Sequence, residues 1–114
     1  MTRVFKVLPA TEWEAAYAEG QFNGAAVDLA DGFIHLSAAD QVAETLRRHF
    51  AGQAGLVLAA FDAEALGPGL KWEPSRGGAL FPHLYGPLPT ALATDVRPIP
   101  LRADGSFDVE GLGL

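Results

Sequence analysis

Glycine and proline interrupt this chain so often that no long helix or strand fits between them. The sequence has 13 glycines and 8 prolines among 114 residues, and they follow no fixed period. Such residues mark tight turns rather than a low-complexity tract. Between them, the hydrophobic pattern predicts about seven short strands and two helices, without the regular alternation of a doubly wound sheet. We therefore predict an α+β fold with a mixed or antiparallel sheet.

Local patterns place the first elements. Alternation over residues 3–8 predicts a strand, and the apolar run at 56–61 predicts a central strand covered on both faces. A capping box that starts at Thr11 predicts a helix to about residue 19, with Trp13 and Tyr17 forming its buried stripe.

The rest of the chain follows the same logic. Residues 21–30 are polar and small, so we interpret them as a loop. Ser37 is predicted to cap a helix that ends near residue 50. Residues 70–81 resemble a hairpin, and residues 94–99 and 106–109 are predicted as the last two strands.

Composition limits the function classes. The formal charge is -6, which disfavours nucleic acid and anionic membranes as partners. The chain has no cysteine, which excludes disulfides and thiolate chemistry and suits a cytoplasmic protein. We find no secretory signal or membrane-spanning run, and the length predicts a single domain over residues 1–114.

The stretch from Asp31 to Ser37 is the first candidate site. In an extended segment His35 and Ser37 share one face, while Ile34 and Leu36 take the other. A helix that starts at Ser37 would present unpaired N–H groups to a phosphate or carboxylate. A strand histidine bonded to a backbone carbonyl is an equally good interpretation of His35.

A second polar cluster follows in the predicted hairpin. Glu73, Arg76, His83 and Tyr85 offer a carboxylate, an anion clamp, an imidazole and a phenol. We select His35, Glu73 and His83 as candidate catalytic residues, and Ser37, Arg76 and Tyr85 as candidate ligand-binding residues. Glu73 and Arg76 pairing across the turn is the structural alternative. No metal-ligand spacing is present, so we predict no metal site.

Three motifs carry a resemblance to a bacterial family known as domain of unknown function 952. They are Asp31-Gly32-Phe33-Ile34-His35-Leu36-Ser37, Trp72-Glu73-Pro74-Ser75-Arg76 and Phe81-Pro82-His83-Leu84-Tyr85-Gly86-Pro87-Leu88. The resemblance covers most of the chain. It implies a fold similar to ADP-ribosyltransferases, whose split sheet holds the cofactor NAD in a cleft.

By this resemblance, His35 would be the strand histidine that contacts the ribose beside nicotinamide, and Tyr85 the tyrosine that stacks on nicotinamide. The transferases also carry a late glutamate, whereas this chain reads Gly86-Pro87-Leu88 after Tyr85. Three hypotheses stay open: an enzyme that processes NAD or a related nucleotide, a noncatalytic module for a small ligand or phosphate, and a structural homo-oligomeric domain.

Overall fold

The computed structural model describes residues 2–114, except for the side chain of Arg76. Over these residues it has three α-helices, nine strands of which four have only two residues, and several short 3₁₀ turns. The helices are α1 (Ala10–Glu19), α2 (Ala26–Asp31) and α3 (Val42–His49). The strands are β1 (Arg3–Pro9), β2 (Gln21–Phe22), β3 (Ile34–His35), β4 (Ser37–Ala38), β5 (Leu56–Asp62), β6 (Leu70–Pro74), β7 (Leu80–Leu84), β8 (Leu88–Pro89) and β9 (Ala93–Pro98).

The strands form three antiparallel sheets. The largest has the order β4-β1-β5-β9, a second contains β3-β7-β6, and β2 pairs with β8. All observed pairings are antiparallel, which confirms the predicted α+β class with short strands. The chain passes from the three-stranded to the four-stranded sheet between His35 and Ser37, so the candidate motif spans the gap between them.

Strands β1 and β5 are buried on both faces. Their side chains alternate between two apolar clusters, as the period of two requires. One cluster includes Val4, Phe61 and Trp13 of α1, and the other includes Phe5 and Leu46 of α3. The prediction of a covered central strand near residues 56–61 is therefore confirmed.

Several local predictions were wrong. Helix α1 begins two residues earlier than predicted, with Pro9 instead of Thr11 at the N-cap, and has no side-chain cap, so the capping box at Thr11 does not form. Tyr17 is 65% exposed, and its ring centre lies 6.4 Å from that of Trp13. Residues 21–30 hold β2 and most of α2 instead of a plain loop.

Ser37 is not a helix cap. It lies in β4, its hydroxyl is 3.0 Å from that of Thr45, and α3 begins only at Val42 after a 3₁₀ turn. The Gln41 side chain instead accepts from the backbone N–H of Ala38 at 2.9 Å. Farther on, the predicted tail strand is reduced to one bridge between Leu101 and Phe107.

Gly69, just before β6, lies against the backbone of Tyr85, just after β7. The backbone N–H of Tyr85 donates to the carbonyl of Gly69 at 2.8 Å. A Cβ at residue 69 would lie 2.9 Å from the carbonyl oxygen of Tyr85, closer than real Cβ contacts allow. Glycine is thus required where the two backbones meet.

Within residues 2–114 no helix is long and apolar enough to cross a membrane.

Phe61 tests the core between the sheet and α1. Its side chain is fully buried and contacts Trp13 with a ring separation of 6.3 Å. We expect Phe61→Ala to reduce the free energy of unfolding by about 3–5 kcal/mol, because it leaves a cavity. Urea denaturation measures this. Val96→Ala, at a position 37% exposed, is the control, and equal losses from both variants would contradict this packing.

Candidate functional site

A buried carboxylate organises the site. Asp28 is 2% exposed and belongs to the short helix α2. Its Oδ2 accepts from the backbone N–H of Ala25 at 2.7 Å, and its Oδ1 accepts from the backbone N–H of His35 at 2.9 Å. Its Oδ1 also lies 2.7 Å from His35 Nδ1. Asp28 therefore fixes both the start of α2 and the orientation of the His35 ring.

Lys6 is the cation that balances this carboxylate. It lies on the face of β1 that also carries Val4 and Leu8, and it is 6% exposed. Its Nζ is 3.3 Å from Asp28 Oδ2 and donates to the carbonyl of His35 at 3.0 Å. The ammonium also lies 5.5 Å from the ring centre of Phe22. One ion pair thus connects β1, α2 and β3.

The two charges shift each other's ionisation. Burial lowers the pKa of Lys6, although the Asp28 carboxylate opposes this change. Burial alone would raise the pKa of Asp28. The Lys6 ammonium and the hydrogen bonds from His35 and Ala25 outweigh that effect, so the pKa of Asp28 lies below its ordinary value.

His35 has a carboxylate at each ring nitrogen. Its Nε2 is 2.9 Å from Asp31 Oδ2, whereas Nδ1 faces Asp28. A carboxylate only accepts hydrogen bonds. A ring with both nitrogens protonated can therefore donate to Asp28 and to Asp31, whereas a neutral ring can donate to only one of them. The Asp31 side chain is 49% exposed and that of Asp28 only 1%. Asp28 is therefore the fixed partner, and Asp31 the one that a ligand could replace.

His83 stands beside His35 on the neighbouring strand. The two residues are paired in the β3/β7 register, and their ring centres are 5.7 Å apart. Phe33 stacks on His83 at 4.0 Å and lies 5.3 Å from the ring of Tyr85. Phe33 and His35 therefore lie against two residues of the second polar cluster, His83 and Tyr85.

Glu73 connects the members of that second cluster. Its Oε1 is 2.8 Å from His83 Nδ1 and accepts from the hydroxyl of Tyr85 at 2.8 Å. The hydrogen bonds from His83 and Tyr85 lower the pKa of Glu73. The bond to Glu73 raises the pKa of Tyr85. Glu73 thus pairs with His83 and Tyr85, and the side chain of Arg76 lies outside the described part of the structure.

A cleft of about 630 Å³ adjoins these residues, within the usual range for small-molecule sites. Of the candidate residues, His35, Ser37 and His83 line the cleft. Glu73 and Tyr85 do not line it, although Glu73 contacts His83. His49, from the last turn of α3, lines it as well. All three histidines of the chain therefore face one cleft. No group of three His, Asp or Glu residues in the described chain is placed to hold a metal ion.

Sequence reasoning missed Lys6, Asp28 and Asp31. Lysine on the apolar face of a strand was a usable signal, because a buried ammonium requires a partner. Asp28 and Asp31 lie three residues apart in an alanine-rich segment, which favours a helix with both on adjacent turns. No pattern in the sequence says that Asp28 pairs with Lys6 and His35.

Removal of the Asp28 carboxylate leaves a buried ammonium unpaired. We expect Asp28→Ala to reduce the free energy of unfolding by about 3–5 kcal/mol. Asp31→Ala removes a half-exposed carboxylate and is expected to cost less than about 1 kcal/mol. Chemical denaturation of both variants at neutral pH makes the comparison. If Asp31→Ala lowers the free energy of unfolding as much as Asp28→Ala does, the contact between Lys6 and Asp28 is not the main source of stability at this site.

The lowered pKa of Asp28 also predicts acid sensitivity. The folded pKa lies below the unfolded one, so this contribution is complete above the unfolded pKa and is lost as pH falls through the folded pKa. Between about pH 5 and pH 3, we expect the wild-type chain to lose more stability than Asp28→Asn. Denaturation curves across this range measure the difference, and parallel losses would assign the effect to other carboxylates such as Glu73.

Comparisons with known proteins give a family. The family model described as protein of unknown function DUF952 matches residues 7–96. A crystal structure of protein CC0527 from Caulobacter crescentus is 56% identical, has a TM-score of 0.91, and covers 95% of each chain. A solution NMR structure of CC0527 is 58% identical, with a TM-score of 0.82 over 92% of this chain and 90% of that one. No curated protein matches the chain. The family match extends over most of the chain, and on this basis the protein belongs to the DUF952 family.

Proposed function

We propose that the cleft binds a nucleotide of the NAD type, with His35 contacting its ribose. The observation that carries the proposal is the pair of histidines on adjacent strands, each next to a carboxylate and both lining the cleft. Residues of β1, β3 and β7 surround it, so the cleft lies between the four-stranded and the three-stranded sheet. This position supports the resemblance to the split sheet of ADP-ribosyltransferases.

The ribose fits the chemistry at His35. A hydroxyl both donates and accepts, so one ribose hydroxyl can replace Asp31 at Nε2 and a second can donate to the released carboxylate. The contact between Asp28 and Nδ1 keeps the ring in place during this exchange, which reduces the cost of ordering it on binding. Asp31 is the exposed member, so the exchange needs only a side-chain movement at the rim.

The aromatic rings favour a ligand with a planar base. Tyr85 is 42% exposed, and the ring of Phe33 is close to the rings of Tyr85 and of both histidines. A base extending from the ribose over this edge could stack on Tyr85. In this arrangement Glu73 holds the phenol by its hydroxyl, so Tyr85 acts in binding rather than as an acid.

Binding without turnover is the second candidate function. It is favoured by the position of Glu73, whose Oε1 contacts both His83 and Tyr85 and which does not line the cleft. Residues 86–88 supply no carboxylate after Tyr85. A transferase of this chain would therefore use His35 and His83 as proton carriers, with Glu73 acting through His83.

Calorimetric titration with NAD and ADP-ribose tests the binding site. We expect His35→Ala to weaken binding by about tenfold, the effect of losing one good hydrogen bond. Arg48→Ala is the control, because Arg48 lies on the exposed side of α3 and pairs with Glu44. His49 is unsuitable as a control since it lines the cleft. Absence of heat with both ligands, or equal effects of the two variants, would contradict the proposal.

Nicotinamide release from NAD separates the two candidate functions. An enzyme should release nicotinamide, and Glu73→Gln should then slow release more than it weakens binding. A binding module should titrate with NAD and leave it intact. Chromatography of the reaction mixture distinguishes these results.

A further inference from the structure

Strand β1 has an unpaired edge that forms the floor of the cleft. On one side β1 pairs with β5 along its whole length. On the other side it pairs with β4 at Val4 and Phe5 only, because the chain turns away towards the other sheet at Leu36. Within the described residues, the segment from Lys6 to Pro9 has no strand on that side. All four of its residues line the cleft.

The register shows which backbone groups point to that edge. The N–H of Ala63 bonds to the carbonyl of Thr2, and the N–H of Ala10 bonds to the carbonyl of Gly55. Both bonds fit the β1/β5 register, so the even-numbered residues of β1 bond to β5. The N–H and C=O of Val7 therefore point away from β5, towards the cleft.

Val7 thus presents a donor and an acceptor side by side in a buried position. Val7 is 5% exposed. Within the described part of the chain, the pairing of β1 with β4 stops at Phe5, and no backbone group of a loop or turn bonds to Val7. A buried backbone pair without a partner is costly, and such pairs are normally satisfied by another chain, a ligand or water. Pro9 has no N–H and, as the residue before α1, its carbonyl accepts the first hydrogen bond of that helix, so Val7 supplies the free backbone groups of this edge.

The charge of the cleft indicates what could occupy this edge. Glu12 and Asp31 line the cleft, whereas the charge of Lys6 is balanced by Asp28. The whole chain carries a formal charge of -6. A cationic segment would therefore be attracted and an anionic one repelled.

We propose that this edge binds the main chain of a short, extended, positively charged peptide, which adds a strand to β1 opposite Val7. One peptide residue, running antiparallel to β1, exchanges both hydrogen bonds with Val7. The free edge is about 13 Å long, which fits about four peptide residues. Side chains of the peptide point alternately towards α2 and towards the end of α3, since successive residues of a strand face opposite sides. This binding mode does not depend on a nucleotide.

A pool of end-blocked hexapeptides tests the proposal. Each has lysine at both ends and alanine, valine, serine or threonine at the four middle positions. Added at millimolar concentration to the isotopically labelled full chain, the pool should shift the amide NMR signal of Val7. A pool with glutamate in place of lysine should bind at least about tenfold more weakly. If the Val7 signal stays unchanged with the lysine pool, the proposal is overturned.

A second pool tests the backbone contact without changing the protein. N-methylation of the four middle residues removes the donors that strand addition needs, so binding should fall by about tenfold or more. Equal binding of the methylated pool would show that side chains alone hold the peptide, which also overturns the proposal. As the matched protein variant, Glu12→Gln should weaken binding of the lysine pool, whereas Glu110→Gln, in the C-terminal 3₁₀ turn, should leave it unchanged.

Discussion

The contact between Lys6 and Asp28 is the interaction on which the site depends. It joins the middle of β1 to a six-residue helix, and through Asp28 it reaches His35 at the end of β3. A helix of that length is too short to be stable alone, so α2 needs tertiary contacts to form. Buried ion pairs often contribute little net stability compared with apolar packing. The main role of this pair is to fix the positions of α2, β1 and His35 relative to one another.

The separation of the two sheets has the same origin. The chain pairs with β7 through Ile34 and His35, and two residues later it pairs with β1 through Ser37. Such a short connection cannot continue both pairings, so a gap opens along β1 beyond Phe5. The Lys6 ammonium lies at the inner end of this gap and bonds to the carbonyl of His35. The ion pair and the cleft are therefore consequences of one crossing of the chain.

Much of the fold could be predicted from the sequence, because strong alternation and apolar runs of strand length are visible in the local sequence pattern. The covered strand β5 and the hairpin of β6 and β7 are examples. The errors arose where tertiary contacts decide. Tyr17 fits the helical stripe of Trp13, yet its side chain is mostly exposed. The large apolar residues of helix α2, Val27 and Leu29, are exposed, whereas its buried residue is Asp28, so its hydrophobic pattern does not reveal it. Likewise, His35 and His83 belong to separate motifs of the sequence, and the β3/β7 register is what makes them neighbours.

The negative charge of the cleft affects how each of the two proposed ligands can bind. The cleft is lined by the carboxylates of Glu12 and Asp31, and the one lysine in it is balanced by Asp28. Among the side chains that the structure describes, a phosphate group deep in the cleft would meet little uncompensated positive charge. A nucleotide would therefore enter with its ribose at His35 and its phosphates towards solvent, where screening reduces repulsion. A cationic peptide along β1 meets the opposite condition, because the same carboxylates attract it. The two ligand classes should consequently respond to salt in opposite directions, with added salt favouring the nucleotide and weakening the peptide.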